Sequence, residues 1–530
     1  MSFLKGYLHM KVSDNIQNKY SKLLEEGGLF FYGPTKGSFI LPPRGYSLWT
    51  NIKSVLDEKF AKRGVQNVFL PTLIPSELLE KEKNHFTGFN PECFYVERIG
   101  EKKLSSSLIL RPTSEVLFYN WYRQILKSYH QLPFLYNQWN QVFRAEKNIS
   151  PFFRNTEFLW QEGHTVHSNE QEAREMVLNI LNDYHDYAKN TLRLGVIVGQ
   201  KSQGEKFAGA LESYTIECLL PDGQCLQLAT SHYFGDEFCR LMGVKFQDKD
   251  NKNKFAFSTS WGTSTRAIGT IAKTHADNWG LILPFELAPV QIAFILIEEK
   301  KELIDYYQKI SSLVSDAYHC QLYNKNHQVN LNILQADKEG CPFKIILGKE
   351  ELAQESITLI RRDDIEKRLS IILKDDEEKE QKHLALEKNY LNYLNSLSEV
   401  GLEVNEKEKI IEKIIDSFRR GFKQGKIFQV ISQEKEKFQA NIYQKSVDFL
   451  NQHIFPVDNF AELERKIGSG VKGLFLIPFC NVLECERKIK EKISAYSIRC
   501  LTSSNDSNLV LSCLFCQIPT KFRAYFGRSY

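Results

Sequence analysis

No stretch of the chain reaches the roughly 18 consecutive apolar residues that a membrane span needs, so no membrane partner is expected. The opening segment MSFLKGYLHMKVSD lacks a long apolar core followed by a small-residue cleavage site. No secretory signal is read there, and a cytoplasmic protein is expected. Charge of neither sign is in excess: 69 Lys and Arg face 65 Asp and Glu, a net charge of +4. That excludes a histone-like global field, so any nucleic acid must be held by local patches. Internal repeats and long low-complexity tracts are also missing.

What is present suits a globular protein of several domains. The 530 residues are 42% hydrophobic and 25% charged, enough to bury several cores without covalent staples. Six of the eleven cysteines are scattered through the first 341 residues and read as packed thiols. The other five, Cys480, Cys485, Cys500, Cys513 and Cys516, crowd into the end of the chain.

Periodicity divides the chain into three parts. Residues 15–26 have helical character, 28–48 read as short strands and turns, and 47–63 carry apolar residues at helical spacing. Strand-like segments follow at 108–112, 134–146 and 155–167, with a helix over about 169–189. The pattern predicts an antiparallel, strand-rich core with inserted helices over 1–285, an α+β arrangement. From 286 to 390 strands alternate with helices, which predicts a smaller α/β domain. Residues 375–390 are a charged linker or helix start, and a third, Lys/Glu-rich part runs over 391–530.

Three constellations carry chemistry. In VFRAEKNISPFFRNTEFLWQEGH, two apolar strands flank a loop bearing Arg144, Glu146 and Arg154. A guanidinium there suits polyphosphate oxygens, which it binds through paired charge-assisted bonds; two surface arginines on a hairpin is the plainer reading. In WGTSTRAIGTIAKTH, Arg266 opens a helix after Gly262 and hydroxyl residues that include Ser264. A helix start favours anions; a well-capped core helix with one exposed arginine is the plainer reading, and alone this segment is weaker than the first. In GYSLWTNIKSVLDEKFAKRGVQNVFLPTLIP, a long helix leads to a strand stopped by Pro71.

In this order the three resemble the signature set of the class II aminoacyl-tRNA synthetases. Nothing resembles the His-Ile-Gly-His or Lys-Met-Ser-Lys motifs of the other class. The segments Arg111-Pro112-Thr113-Ser114-Glu115, EFLWQEGH (157–164) and Gln227-Leu228-Ala229-Thr230-Ser231-His232 look like substrate segments of the prolyl enzymes. The likeness continues through GCPFKIILGKEEL and RRDD to the last cysteines and Tyr530. Its archaeal and eukaryote-like branch, which carries a C-terminal zinc-binding extension, fits better than the bacterial one. The chain departs from the pattern at Leu228 and Ala229, where relatives often have two glycines, and at Asn155, usually threonine.

The resemblance implies an antiparallel-sheet catalytic domain (1–285), an anticodon-binding domain (286–390) and a zinc-binding domain (391–530). It implies ATP-dependent ligation of L-proline to tRNA(Pro), with Mg2+, by a homodimer. Arg144 is expected to bridge the α-phosphate and the proline carboxylate. Glu146, Arg154, Asn155, Gln227, Thr230, Ser264 and Arg266 are expected on ATP, with Gln227 near magnesium. Thr113, Glu115, Trp160, Glu162, Phe207 and His232 are expected around proline. Arg154 and Arg266 are about 110 residues apart, which leaves no room for an editing insertion. Cys480-x4-Cys485 and, after 27 residues, Cys513-x2-Cys516 suit tetrahedral zinc. Arg361 and Arg362 are candidate tRNA phosphate contacts. A threonyl, seryl or glycyl synthetase, and a non-aminoacylating paralogue, are the competing readings. The retained arginines argue against the paralogue, and the lack of a Cys/His/His set argues against the threonyl enzyme.

Overall fold

The computed structural model describes residues 20–85, 92–325, 328–373, 404–503 and 511–530. The charged 375–390 segment lies outside them. The chain forms two compact bodies, one of residues 277–442 and one that joins 20–276 with 443–530.

The larger body is built on a sheet of eleven strands among the described residues. In spatial order these are Ile454–Pro456, Leu474–Pro478, Phe522–Ser529, Tyr496–Ser503, Ile197–Gln200, Glu212–Leu219, Gln224–Gly235, Phe257–Ser264, Glu157–His167, Phe134–Phe143 and Gln66–Asn67. The run from Ile197–Gln200 to Phe134–Phe143 is antiparallel throughout. Strands from the end of the chain extend that sheet, with Leu501 opposite Gln200. Gln224 and Cys225 also pair in parallel with Arg528 and Ser529.

Sequence pattern explains the flanking elements. Pro43 opens the Pro43–Lys62 helix, where its missing N–H costs nothing. Leu48, Trp49, Ile52, Leu56 and Phe60 then fall on its buried stripe. Each such side chain contributes about 1.5–3 kcal/mol by leaving water. Glu170–Asp186 is capped by Asn169, whose side chain accepts from the Glu172 N–H at 2.9 Å, and it buries Ala173, Val177 and Ile180. The strand anticipated before Pro71 is only Gln66–Asn67; a second strand, Leu73–Pro75, follows the proline in a separate sheet.

The smaller body has a five-stranded sheet among the described residues. Cys320–Leu322, Ile292–Leu296 and Phe343–Leu347 are parallel, and Ser356–Arg361 and Asp364–Ile372 add an antiparallel hairpin. Ile292–Leu296 and Phe343–Leu347 are wholly buried, as a strand covered on both faces must be. Ile427, Ile431, Phe438 and Ile442 of the Val404–Gln452 helix join its core. Among the described residues, no helix is long and apolar enough to cross a membrane.

Candidate active site

One cleft of about 220 Å³ in the larger body is lined by all fourteen residues anticipated for ATP and proline. Its floor is the antiparallel sheet. Phe134–Phe143 and Glu157–His167 pair from Phe143↔Glu157 to Phe134↔Val166, so the loop between them opens at the cleft mouth. Gln224–Gly235 carries a bulge: Ile216 faces Ala229 and Glu217 faces Gln227, leaving Leu228 as the extra residue. Bulges re-aim side chains beside sites, and Gln227, Leu228, Ala229 and Thr230 all line the cleft.

At one end the lining is carboxylate and aromatic. Thr113 Oγ1 donates to the Glu115 carboxylate. Glu162 accepts from the Ser114 N–H (3.2 Å), Gln138 Nε2 (3.1 Å), Asn140 Nδ2 (2.6 Å) and His164 Nε2 (3.2 Å). Burial pushes both carboxyls up. For Glu162 the bonds from His164, Ser114 and Asn140 outweigh burial and hold it below the ordinary range. For Glu115 burial wins: the Glu162 charge adds to it, and His164 and Thr113 only oppose it. The Phe207 ring lies 4.8 Å from that of His232, and His232 Nδ1 is 2.8 Å from Ser213 Oγ. Burial, with the Lys201 charge adding, lowers His232 to about 3, so it is neutral at physiological pH.

At the other end the lining is cationic. Arg144 Nε donates to the Pro112 carbonyl at 3.1 Å, and its guanidinium lies 5.2 Å from the Trp160 ring. Trp160 is therefore a cleft wall backing an arginine, not core. Arg266 Nε donates to the Phe153 carbonyl at 3.1 Å. Burial, with Arg144 adding, lowers Arg266 to about 10, which leaves it charged at neutral pH. Arg154 donates to the Tyr530 carbonyl. Asn155 Oδ1 is buried without a partner. Arg111, in contrast, is wholly structural: it donates to the carbonyls of Leu70 (2.7 Å), Pro71 (3.1 Å) and Gln141 (3.1 Å).

Sequence reasoning missed His164 and Lys201, which also line the cleft. His164 closes the EFLWQEGH segment but is given no role there, and Lys201 lies outside the quoted motifs. Lys201 Nζ donates to Glu217, which also accepts from Arg499 Nε at 2.7 Å, nearly 300 residues further on.

In the smaller body Arg362 is corrected as a phosphate contact. Its side chain is fully buried, donating to Asp277 at 2.5 and 2.8 Å and lying 3.4 Å from Asp337. Arg361 is also committed, to Asp363 and Glu434 at 3.0 Å. A charge spent on neighbouring carboxylates is not available to a phosphate.

The sulfurs of Cys480, Cys485, Cys513 and Cys516 lie within 4.8 Å of one another. Cys485–Cys513 is 3.8 Å and Cys480–Cys516 is 3.5 Å. Cys500 lies apart from this group, in the cluster with Cys225 and Ile197.

Residues 94–275 match the tRNA synthetase class II core domain (G, H, P, S and T), 291–381 the anticodon binding domain, and 461–530 the prolyl-tRNA synthetase C-terminal family. A proline–tRNA ligase of Mesoplasma florum is 37% identical over 511 residues, covering 96% of each chain. The chain belongs to the prolyl-tRNA synthetase family. It is a proline–tRNA ligase built on the class II core. A second such ligase of Bacillus cereus is 34% identical over 528 residues, covering 98% of each chain. The prolyl-tRNA synthetase of Cryptosporidium parvum complexed with L-proline and AMP superposes with a TM-score of 0.81 at 28% identity, over 98% of this chain and 97% of that one. Relatives thus come from bacteria as well as from a eukaryote. The competing threonyl, seryl and glycyl readings fall away, because the prolyl likeness runs the length of the chain.

Proposed function

We propose that this prolyl-tRNA synthetase works in two steps on the cleft, carried by one observation: fourteen residues anticipated for two ligands line one cavity. The proline carboxylate attacks the α-phosphorus of ATP. A carboxylate–phosphorus bond forms, the bond to the bridging oxygen breaks, and pyrophosphate leaves. The nucleophile is already ionised, so no general base is needed, and the protein supplies position and charge. Arg144, between the acidic and cationic ends, bridges the carboxylate and the α-phosphate. Glu146, Arg154, Asn155, Thr230, Ser264 and Arg266 hold ATP, and Gln227 lies beside the Mg2+ that accompanies it. A ribose hydroxyl at the 3′ end of tRNA(Pro) then attacks the adenylate carbonyl and releases AMP.

Proline brings a secondary ammonium with two N–H donors and a small ring. Thr113 and Glu115 provide acceptors. Trp160, Phe207 and the neutral His232 wall the ring, and the four-donor set around Glu162 fixes a negative charge beside them. The test is proline-dependent ATP–pyrophosphate exchange, expected with proline and absent with threonine and glycine. Exchange with either of those, or none with proline, rejects the assignment.

The remaining parts follow the same family logic. The domains are 1–285 (catalytic), 286–390 (anticodon-binding) and 391–530 (zinc-binding), in the archaeal and eukaryote-like branch, a reading supported by the presence of a C-terminal extension, whose last 70 residues match the prolyl-tRNA synthetase C-terminal family. Structural zinc fits the four cysteines. Bonds of about 2.3 Å in a tetrahedron put sulfurs about 3.8 Å apart, close to the observed spacing. The short span of about 110 residues between Arg154 and Arg266 supports the reading that the enzyme does not edit in cis. Hydrolysis of alanyl-tRNA(Pro) by the purified protein would overturn this. The homodimer forms around Pro71, where Phe69 is 82% exposed and Leu73, Tyr95 and Ile99 are also open. The enzyme acts in the cytoplasm.

A further inference from the structure

Lys273 falls in the WGTSTRAIGTIAKTH segment, where only Gly262, Ser264 and Arg266 are read for chemistry, yet its surroundings are built around its charge. It sits on the Arg266–His275 helix, two turns beyond Arg266, with a side chain only 9% exposed. Its Nζ donates to Asp222 Oδ2 at 2.5 Å. Three rings enclose the ammonium: Tyr530 at 5.3 Å, Phe153 at 5.7 Å and Tyr20 at 5.8 Å from centroid. All are within the ~6 Å over which a ring face attracts a cation. The groups come from four separate parts of the chain.

The Tyr20 and Tyr530 rings also grip the 150–154 segment, which holds Phe153 and carries Arg154. Tyr20 stacks on Phe153 at 5.3 Å, and its hydroxyl donates to the Pro151 carbonyl at 3.2 Å. The Tyr530 hydroxyl is 2.5 Å from Ser150 Oγ, its ring lies 5.8 Å from the Arg154 guanidinium, and its carbonyl accepts from Arg154. Phe153 precedes Arg154 directly, and its carbonyl holds Arg266 Nε. The preceding Phe152 is buried with φ at +64°, a left-handed conformation that a phenylalanine keeps only where packing over-determines it.

We infer that Lys273 is a positioning residue for ATP: its cage with Asp222, Tyr20, Phe153 and Tyr530 fixes the 150–154 segment, and with it Arg154 and Arg266. Lys273, Asp222, Tyr20 and Tyr530 do not line the cleft, and the cage acts on it through Phe153, which does, and through the ring of Tyr530. The inference rests on the assignment of Arg154 and Arg266 to ATP.

The full chain is tested by ATP–pyrophosphate exchange with K273M, K273R and D222N, and with R266A as control. K273M is expected to raise KM for ATP about tenfold while KM for proline moves less than about twofold, the signature of a lost ground-state contact to one substrate. K273R, which keeps the cation and its preference for ring faces, is expected to return KM for ATP to within about threefold of the parent. If K273M does not fold, D222N decides, since it keeps size and rings and loses the charge pair; a rise of about threefold in KM for ATP is expected. An unchanged KM for ATP in a folded variant overturns the inference. So does an equal rise for both substrates, or failure of K273R to restore. Should R266A itself leave KM for ATP unchanged, the site reading fails first; a strong R266A effect with a silent K273M removes only the role of Lys273.

Discussion

Glu115 and Glu162 share one pocket, and their surroundings push their proton affinities apart. Four donors converge on Glu162, so it stays ionised. Glu115 has the Thr113 hydroxyl and a desolvated position that favours its neutral form. A bound ammonium needs the ionised form. The sign follows: the folded-state pKa of Glu115 lies above the ordinary value of about 4.3, so its carboxylate, and with it proline affinity, is lost as pH falls through that raised value. KM for proline is expected to climb on acidification, starting at a higher pH than an exposed glutamate would give, while KM for ATP stays flatter. E115Q is expected to raise KM for proline about 10- to 100-fold, the worth of one charge-assisted hydrogen bond, and to flatten its acid limb. A parent-like acid limb in E115Q would move the titration to another group. Both glutamates were legible in the sequence because they sit in short segments with a family pattern. His164 and Lys201 were not. His164 shares the EFLWQEGH segment with Glu162 and acts through it, while Lys201 acts through Glu217 on a neighbouring strand, so each role is defined by a partner that only the fold reveals.

At the scale of elements, the Arg266–His275 helix shows where pattern reading succeeds and where it stops. Its start was legible: hydroxyl residues precede Arg266, and the Arg266 N–H is 3.3 Å from Ser264 Oγ. Its far side was not, because the partners of Lys273 and Gly269 are Tyr20, the 152–153 turn and Tyr530. Periodicity marks a buried face without saying what covers it. Gly269 makes the point in physical terms. A Cβ there would meet Tyr20 Oη at 2.7 Å, Phe152 Cβ at 2.8 Å and Phe153 Cε1 at 2.9 Å, closer than real contacts allow. G269A gains helix propensity of about 1 kcal/mol. Overpacking of about 1–3 kcal/mol opposes it, because the strained turn has nowhere to move. We expect net destabilisation in a thermal melt and a selective rise in KM for ATP. An alanine variant more stable than the parent, with ATP kinetics unaltered, would show that the turn yields freely.

Across the whole molecule, the three-part order of the sequence becomes two bodies, because strands after residue 453 rejoin the sheet laid down before residue 265. The junction is charged as well as hydrogen-bonded. Glu217 is fully buried between Lys201 and Arg499, and burial is outweighed by those two charges, which hold its carboxyl below the ordinary range. Its contribution to stability is therefore complete above about pH 4.3 and is lost as pH falls through the lower folded value. E217Q strands two buried cations and is expected to cost about 3–5 kcal/mol in denaturant melts at neutral pH. No local pattern in TIECLL announces this, since the second cation is contributed by a strand near the end of the chain.

The same junction makes a metal question into a kinetic one. The cysteine cluster and the Phe475, Ile477 and Phe526 core belong to the segment whose last residue, Tyr530, reaches Ser150 and Arg154. With zinc structural, its removal destabilises that segment locally. Tyr530 is then released from Arg154, proposed above to hold ATP, while the proposed proline end of the cleft stays on the antiparallel strands. Chelation, or C485S, is expected to lower the melting temperature and to raise KM for ATP several-fold more than KM for proline, with zinc restoring both in the chelated parent. Zinc-free parent protein with an unaltered melt and unaltered ATP kinetics would detach the cysteines from both roles.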